Sequence, residues 1–286
     1  MFSQNQIVKK ESLSPDIVSI DIYSPVIAKK ALAGQFVVVR ANDEGERIPL
    51  TIADSNSSDG LVNLTILKRG KSTNLISMMD EGCVLKDVAG PLGKPSEIEN
   101  FGTVAVIGGG VGIAPTIPII KALKLAGNFV ITILGARSAD GIIFEQKAAR
   151  YSNRIYFCTD DGSRDFKGFV SEFLSELLDP GKKTAIDRVV AIGPALMMKT
   201  ICDVTRTPNI KTIVSLNPIM VDGTGMCGSC RVEVGGKTMF ACVDGPEFDG
   251  HQVDFNLLLS RLNIYCEEEK KSFDIFMESH RCKMNN

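Results

Sequence analysis

Residues 103–115 read Thr103-Val104-Ala105-Val106-Ile107-Gly108-Gly109-Gly110-Val111-Gly112-Ile113-Ala114-Pro115. The opening five residues have the composition of a strand buried on both faces. A glycine run follows it, and a helix is expected from Thr116 to Leu125. Outward from this unit, Phe129-Val130-Ile131-Thr132-Ile133-Leu134 is rich in β-branched residues and reads as a second strand. Arg154–Cys158, Arg188–Ile192 and Thr212–Leu216 read as further strands, with helical segments between them. Strands alternating with helices imply a parallel sheet of the doubly wound kind.

Before residue 99 the pattern differs. Short apolar or alternating runs, such as Asp16–Ile22, Gln35–Arg40 and Leu61–Leu67, are separated by turn residues. That spacing predicts a small antiparallel barrel or sandwich, with helix confined to Ser72–Met79. After Pro218 the chain is rich in glycine and cysteine and poor in helix signals up to Phe255, and helical spacing returns over 256–280. The expected fold class is therefore α/β plus β in three parts. An N-terminal antiparallel β-barrel occupies 1–98. A doubly wound, parallel-sheet nucleotide-binding domain occupies 99–217. A small C-terminal metal-stabilised module with a helical segment occupies 218–286.

The formal net charge is -2, which gives no electrostatic footprint for nucleic acid or for an anionic membrane. The N-terminus, MFSQNQIVKKESL, has no apolar core of a signal peptide. No apolar run reaches the roughly 18 residues that span a bilayer. A cytoplasmic protein is expected.

Cys227 and Cys230 have C-x-x-C spacing on a glycine-rich loop that starts at Asp222, and Cys242 follows a hairpin-like segment. Thiolates are soft ligands for iron–sulfur clusters or zinc. Asp222 is the nearest candidate for a fourth ligand. Zinc held by three thiolates and an aspartate is the metal alternative; a metal-free redox pair leaves Cys242 unexplained. The other five cysteines (Cys83, Cys158, Cys202, Cys266, Cys282) read as small buried hydrophobes. Gly108, Gly109, Gly110, Gly112 and Pro115 stand between a strand and a helix, where a pyrophosphate can use the helix N-terminus. The run departs from G-x-G-x-x-G at Ile113, and Gly135-Ala136-Arg137-Ser138 supplies no acid after the second strand. Gly70-Lys71-Ser72-Thr73 is not a Walker A loop, because Thr65 stands where its first glycine belongs. His251 and His280 are expected at the surface, and no catalytic acid–base set is expected.

In order along nearly the whole chain, these residues resemble the ferredoxin–NADP reductase superfamily. Arg47-Ile48-Pro49-Leu50-Thr51 is similar to its flavin-binding R-x-[YP]-[ST] element, with Leu50 at the hydroxyl position and Thr51 after it. Gly70–Thr73 is similar to its flavin-phosphate segment. Gly108–Pro115 resembles its nicotinamide-site glycine run, and Gly193-Pro194-Ala195-Leu196-Met197-Met198 resembles its G-P-x-x-M element. The cysteine module resembles the branch that includes dihydroorotate dehydrogenase B electron-transfer subunits. With Asp222 in the first ligand position, it resembles the small subunits of electron-bifurcating NADH-dependent ferredoxin:NADP oxidoreductases.

The resemblance implies FAD at Arg47, Pro49, Leu50, Thr51, Lys68, Gly70, Lys71, Ser72 and Thr73. It implies NAD(H), with NADP(H) as the alternative, at the glycine run, Arg137, Asp160, Asp161, Gly162, Gly193, Pro194 and Met197. It also implies a [2Fe–2S] cluster at Asp222, Cys227, Cys230 and Cys242. The expected partner is a larger flavin and iron–sulfur subunit in a heteromer, with ferredoxin reached through the complex. Electron delivery to dihydroorotate dehydrogenase is the alternative enzyme, and a regulatory or assembly subunit the alternative class.

Overall fold

The structure is a computed structural model that describes residues 2–179, 181 and 185–284, with side chains through residue 279. His280 and Cys282 fall outside the described side chains.

The first 98 residues give β1 (Gln6–Ser14), β2 (Ile17–Tyr23), α1 (Pro25–Lys30), β3 (Phe36–Arg40), β4 (Ile48–Asn56), β5 (Leu61–Leu67), α2 (Lys71–Met78) and β6 (Asp87–Leu92). The six strands form one antiparallel sheet in the order β1-β2-β5-β4-β3-β6. Hydrogen bonds from the start of β1 to residues 82–85 bring its two ends together: Ile7 N donates to Cys83 O and Gly82 N to Ile7 O, both at 2.8 Å. Ile20, Ile22, Val37, Val39, Val62, Leu64 and Ile66 fill the interior. Helix in this part is not confined to the segment expected near Ser72. The six-residue α1 is too short for a periodic signal, and its marks are local: Pro25 in its first turn and Lys29 and Lys30 in its last.

The middle of the chain gives β7 (Thr103–Gly109), α3 (Ile113–Leu125), β8 (Phe129–Ala136), α4 (Glu145–Tyr151), β9 (Arg154–Thr159), β10 (Phe166–Lys167), α5 (Val170–Leu177), β11 (Arg188–Ile192), α6 (Ala195–Arg206) and β12 (Lys211–Ser215). Helix α3 opens at Ile113, three residues earlier than expected. Pro115 sits in its first turn, where a missing N–H costs little. The last part gives the hairpin β13 (Arg231–Val234) and β14 (Lys237–Phe240), then β15 (Glu247–Asp249), α7 (Phe255–Leu262) and α8 (Cys266–Met284).

The second sheet runs β10-β9-β8-β7-β11-β12-β15, parallel except for β15, which adds to the β12 edge antiparallel. One face packs on α3 through Val104, Val106, Ile117 and Ile120. The other packs on α5 and α6 through Ala105, Ile107, Leu174 and Met198. That second core continues into Cys230, Val232 and Cys242 of the cysteine-bearing part and into Phe36 and Val38 of β3. Among the described residues no helix is long and apolar enough to cross a membrane.

Candidate functional site: a glycine crevice, a barrel edge and a cysteine loop

The strand order reverses between β7 and β11, so the crevice at their carboxyl ends is where an open α/β sheet binds ligands. The glycine run lies there. A Cβ on Gly109 would stand 2.3 Å from Met197 Sδ, and one on Gly193 2.5 Å from Met197 Cε. A Cβ on Gly112 would meet Ile192 O at 2.5 Å and Gly193 Cα at 2.8 Å. Gly110 has φ +57 and open space around it. The two predicted elements, Gly108–Pro115 and Gly193–Met197, are thus interlocked. The turn after β9 joins them at the same sheet edge. Asp160 N donates to Ala136 O and Asp161 N to Arg137 O, at 3.2 and 3.1 Å, which brings Arg137, Asp160, Asp161 and Gly162 together. Ser163 donates to Asp161 through its hydroxyl and its amide, and these bonds hold the Asp161 carboxyl below the usual range. Arg164 is committed elsewhere, bidentate to Glu145.

On the barrel, Arg47 is exposed, and Pro49, Leu50 and Thr51 line β4 opposite Val38, Val37 and Phe36 of β3. Gly70 caps α2. Thr73 Oγ1 accepts from the amides of Arg69 and Gly70 at 3.1 Å each, Ser72 donates to Glu46, and Lys71 lies 4.0 Å from Glu46. The Thr73 hydroxyl therefore organises the helix start, while that of Ser72 ties it to Glu46. Lys68 Nζ donates to Pro15 O at 2.8 Å.

The cysteine loop is built by left-handed glycines at 223, 225 and 228, with φ of +76, +87 and +66. Asp222 sits at its mouth. Oδ1 accepts from Thr224 N at 2.7 Å and Oδ2 from Cys227 N at 2.6 Å, and these bonds, Thr224's foremost, depress its carboxyl. Cys227 is exposed, and hydrogen bonds from Ser229 pull its thiol down. Cys230 and Cys242 are buried with sulfurs 3.1 Å apart, and burial pushes the Cys242 thiol up to about 12. Among the described residues no group of three or more His, Cys, Asp or Glu side chains is already gathered as metal ligands. The donor chemistry nonetheless fits a soft iron–sulfur group: two thiols on the glycine loop and a third, Cys242, brought beside Cys230 by the hairpin. A carboxylate has about four lone-pair sites, so the two amide bonds leave Asp222 acceptor capacity for a metal.

Two side chains that hold this loop from outside carry no sequence signal. Arg231 Nη1 donates to Gly228 O at 3.0 Å and Arg261 Nη2 to Ser229 O at 3.1 Å. Only the tertiary fold brings Arg261, on α7, to the cysteines. Of the scattered cysteines, Cys158 and Cys202 are buried as expected, but Cys83 and Cys266 are exposed, one in the turn before β6 and one at the start of α8. His251 is half-buried rather than a plain surface residue: its Nε2 lies 3.0 Å from Thr205 Oγ1, which also accepts from Thr212.

Residues 217–254 match the family described as the iron–sulfur cluster binding domain of dihydroorotate dehydrogenase B. A Thermotoga maritima protein named as a homolog of the electron transfer subunit of dihydroorotate dehydrogenase B (NAD(+)) is 48% identical over 275 residues, 96% of each chain. A probable electron transfer subunit of the same enzyme from Methanocaldococcus jannaschii is 33% identical, over 78% of this chain and 80% of its own. Among solved structures, a chain of the NADH-dependent reduced ferredoxin-NADP oxidoreductase, described for flavin-based electron bifurcation, superposes with TM-score 0.92. It is 46% identical and covers 97% of this chain and 99% of its own. An Amycolatopsis cytochrome P450 reductase shares the fold at TM-score 0.59 and 19% identity, over 71% and 64%. On the strength of near full-length identity and the matched cysteine segment, the chain belongs to the family of dihydroorotate dehydrogenase B electron-transfer subunits and their homologues, within the ferredoxin reductase superfamily.

Proposed function

We propose that this chain is the flavin-dependent subunit that passes electrons between NAD(H), FAD and a [2Fe–2S] cluster inside an electron-bifurcating NADH-dependent ferredoxin:NADP oxidoreductase. One observation carries the reading. The cysteine loop packs directly on the barrel: a Cβ at Gly223 would stand 2.7 Å from Leu92 Cδ1 and 2.9 Å from Val38 Cγ2. Val38 is the cross-strand partner of Pro49 in the proposed flavin element. The two redox stations are then neighbours within one rigid core. Nicotinamide gives up two electrons as hydride, an iron–sulfur cluster accepts one at a time, and a flavin does both.

In this reading the barrel (1–98) holds FAD. Arg47 and Lys71 offset phosphate charge, Lys68, Gly70, Ser72 and Thr73 shape the phosphate turn, and Pro49, Leu50 and Thr51 line the ring. The sheet domain (99–217) takes the dinucleotide at Gly108, Gly109, Gly110, Gly112 and Pro115, bounded by Arg137, Asp160, Asp161, Gly162, Gly193, Pro194 and Met197. The last part (218–286) holds the cluster at Asp222, Cys227, Cys230 and Cys242. Bifurcation needs a second flavin and further clusters, which places a larger subunit on the cluster side, in the cytoplasm. The likeness over 97% of the chain to the bifurcating enzyme's structure favours this over delivery to dihydroorotate dehydrogenase. The second reading is supported by the match of residues 217–254 and by the relatives' names.

The test is recovery of the native complex to identify the partner and, on this chain purified by itself, identification of the flavin released on denaturation and stopped-flow reduction. FAD, about two irons and two sulfides per chain, and flavin reduction by NADH ahead of cluster reduction are expected. Recovery of FMN, zinc in place of iron, or a clear preference for NADPH overturns the corresponding part. Co-purification with a dihydroorotate-oxidising subunit selects the second reading.

A further inference from the structure

We infer that Arg261 is a positioning residue of the iron–sulfur site, holding the Cys227–Cys230 turn and setting the reduction potential of what the turn carries; this rests on the cluster reading above. The turn presents two backbone carbonyls between its cysteines, and each is met by a guanidinium. Arg231 grips Gly228 O from the exposed side at 3.0 Å. Arg261 grips Ser229 O at 3.1 Å from the packed side. Helix α7 is anchored by Phe255 and Leu258, which are buried in the same core as Cys230 and Cys242, so Arg261 is delivered to the turn with little freedom. Its side chain is part-buried.

The second observation is an unpaired donor. Arg261 Nε is buried, and no described residue accepts its hydrogen. Buried polar groups are nearly always paired, because an unpaired one keeps its full desolvation cost. Arginine cannot escape that cost by losing its proton. The donor therefore calls for an acceptor outside the described residues. An inorganic sulfide of a cluster beside the gripped turn is an acceptor of that kind. Reduction adds one electron, and so one negative charge, to a group held by anionic ligands. Net charge and hydrogen bonds to sulfur are among the factors that set iron–sulfur potentials. A part-buried cation that also donates N–H favours the reduced state and raises the potential. Arg231 is exposed, so solvent and salt screen its charge.

The experiment uses the full chain with its cofactors, as wild type, Arg261→Gln, Arg261→Lys and Arg231→Gln. Iron and sulfide are measured, and the cluster is titrated with redox dyes under EPR. Arg261→Gln should lower the reduced-to-oxidised ratio at fixed poise about tenfold, which is about 59 mV for one electron. Arg261→Lys keeps the charge and loses the fork, so it should fall between the two. Arg231→Gln should move the ratio less than threefold. If Arg261→Gln sheds its cluster, Arg261→Lys carries the test, and a potential equal to wild type overturns the inference. An Arg261→Gln potential within threefold of wild type, or an equal shift from Arg231→Gln, overturns it too. A wild-type chain without iron and sulfide overturns the cluster reading itself and this inference with it. A wild-type cluster that ignores Arg261 overturns this inference alone.

Discussion

Replacing Gly112 with alanine tests whether the glycine run and the β11 edge form one surface. Gly112 has an ordinary helical backbone, φ -62, so alanine costs nothing in conformation there. The cost is steric. The new Cβ would face Ile192 O at 2.5 Å, Ile192 C at 2.8 Å and Gly193 Cα at 2.8 Å. All three are backbone atoms that cannot rotate away. The closest is about 0.9 Å short of ordinary contact, so the start of α3 and the end of β11 must part by that order. Overpacking of this kind costs about 1–3 kcal/mol, or about 2–12 °C in Tm for a chain near this size. A displacement near 1 Å at a positioning surface can slow chemistry about 100-fold. Gly112→Ala should therefore reduce its flavin from NADH about 100-fold more slowly while keeping flavin and iron. Gly127→Ala is the control. Its φ of +90 costs a comparable 1–2 kcal/mol, roughly, at the far end of α3, facing only Asn100. It should melt lower and react at the wild-type rate. A Gly112→Ala protein with unchanged Tm and rate, or a Gly127→Ala protein slowed as much, refutes the interlocked crevice.

Three further outcomes are expected. Gly223→Ala puts a Cβ against Leu92 and Val38 at φ +76, so the cysteine loop should retreat from the barrel. Tm should drop by several degrees, about 2–4 °C per kcal/mol, and full iron content at unchanged Tm would refute the packing. Asp222→Ala removes the acceptor of the Thr224 and Cys227 amides, and iron affinity, followed by chelator competition, should fall about tenfold. Glu247 accepts from Ser96 Oγ at 2.6 Å beside a cavity of about 240 Å3 that Arg188 also lines, and burial raises its carboxyl pKa. The folded state then holds this proton more tightly than the unfolded one. The resulting stability is present below the unfolded value near 4.5 and is lost as pH rises through the folded one. The Tm of Glu247→Gln relative to wild type should rise between pH 4.5 and 8, and a flat difference would show that folding leaves the Glu247 carboxyl at its ordinary value.

Much of this was legible because local composition decided it. Leu61–Leu67 is a strand with the expected bounds, and the run from Thr103 is buried nearly throughout as a central parallel strand must be. The strand–glycine–helix unit placed the crevice, and the Cys227–Cys230–Cys242 spacing placed the loop. What escaped was long-range. Strand β15 has only three residues and exists because Ser215, Val214 and Ile213 offer it an edge. Arg261 reaches Ser229 across 32 positions. Nothing near residue 70 says that Ser72 will turn to Glu46. Periodicity sees one element at a time, and these contacts belong to pairs of elements.

The same long-range contacts bear on how electrons move. The composition changes sharply near residue 218, yet the packing continues across it. Cys230 and Cys242 share one apolar core with Met198 and Ile201 of α6 and with Phe36 and Val38 of β3. Main-chain bonds from Lys94 N to Gly245 O at 2.6 Å and from Leu216 N to Pro246 O at 2.9 Å tie the end of the barrel and the end of β12 to the segment before β15. A module hung on a linker would have to find its flavin by diffusion on each turnover. One whose cysteines lie in the common core keeps a fixed spacing, because close-packed interiors have discrete arrangements rather than graded ones. Motion needed to meet a partner is then expected at the exposed rim of the loop, where Met226 and Val221 face solvent, and not between the cluster and the barrel.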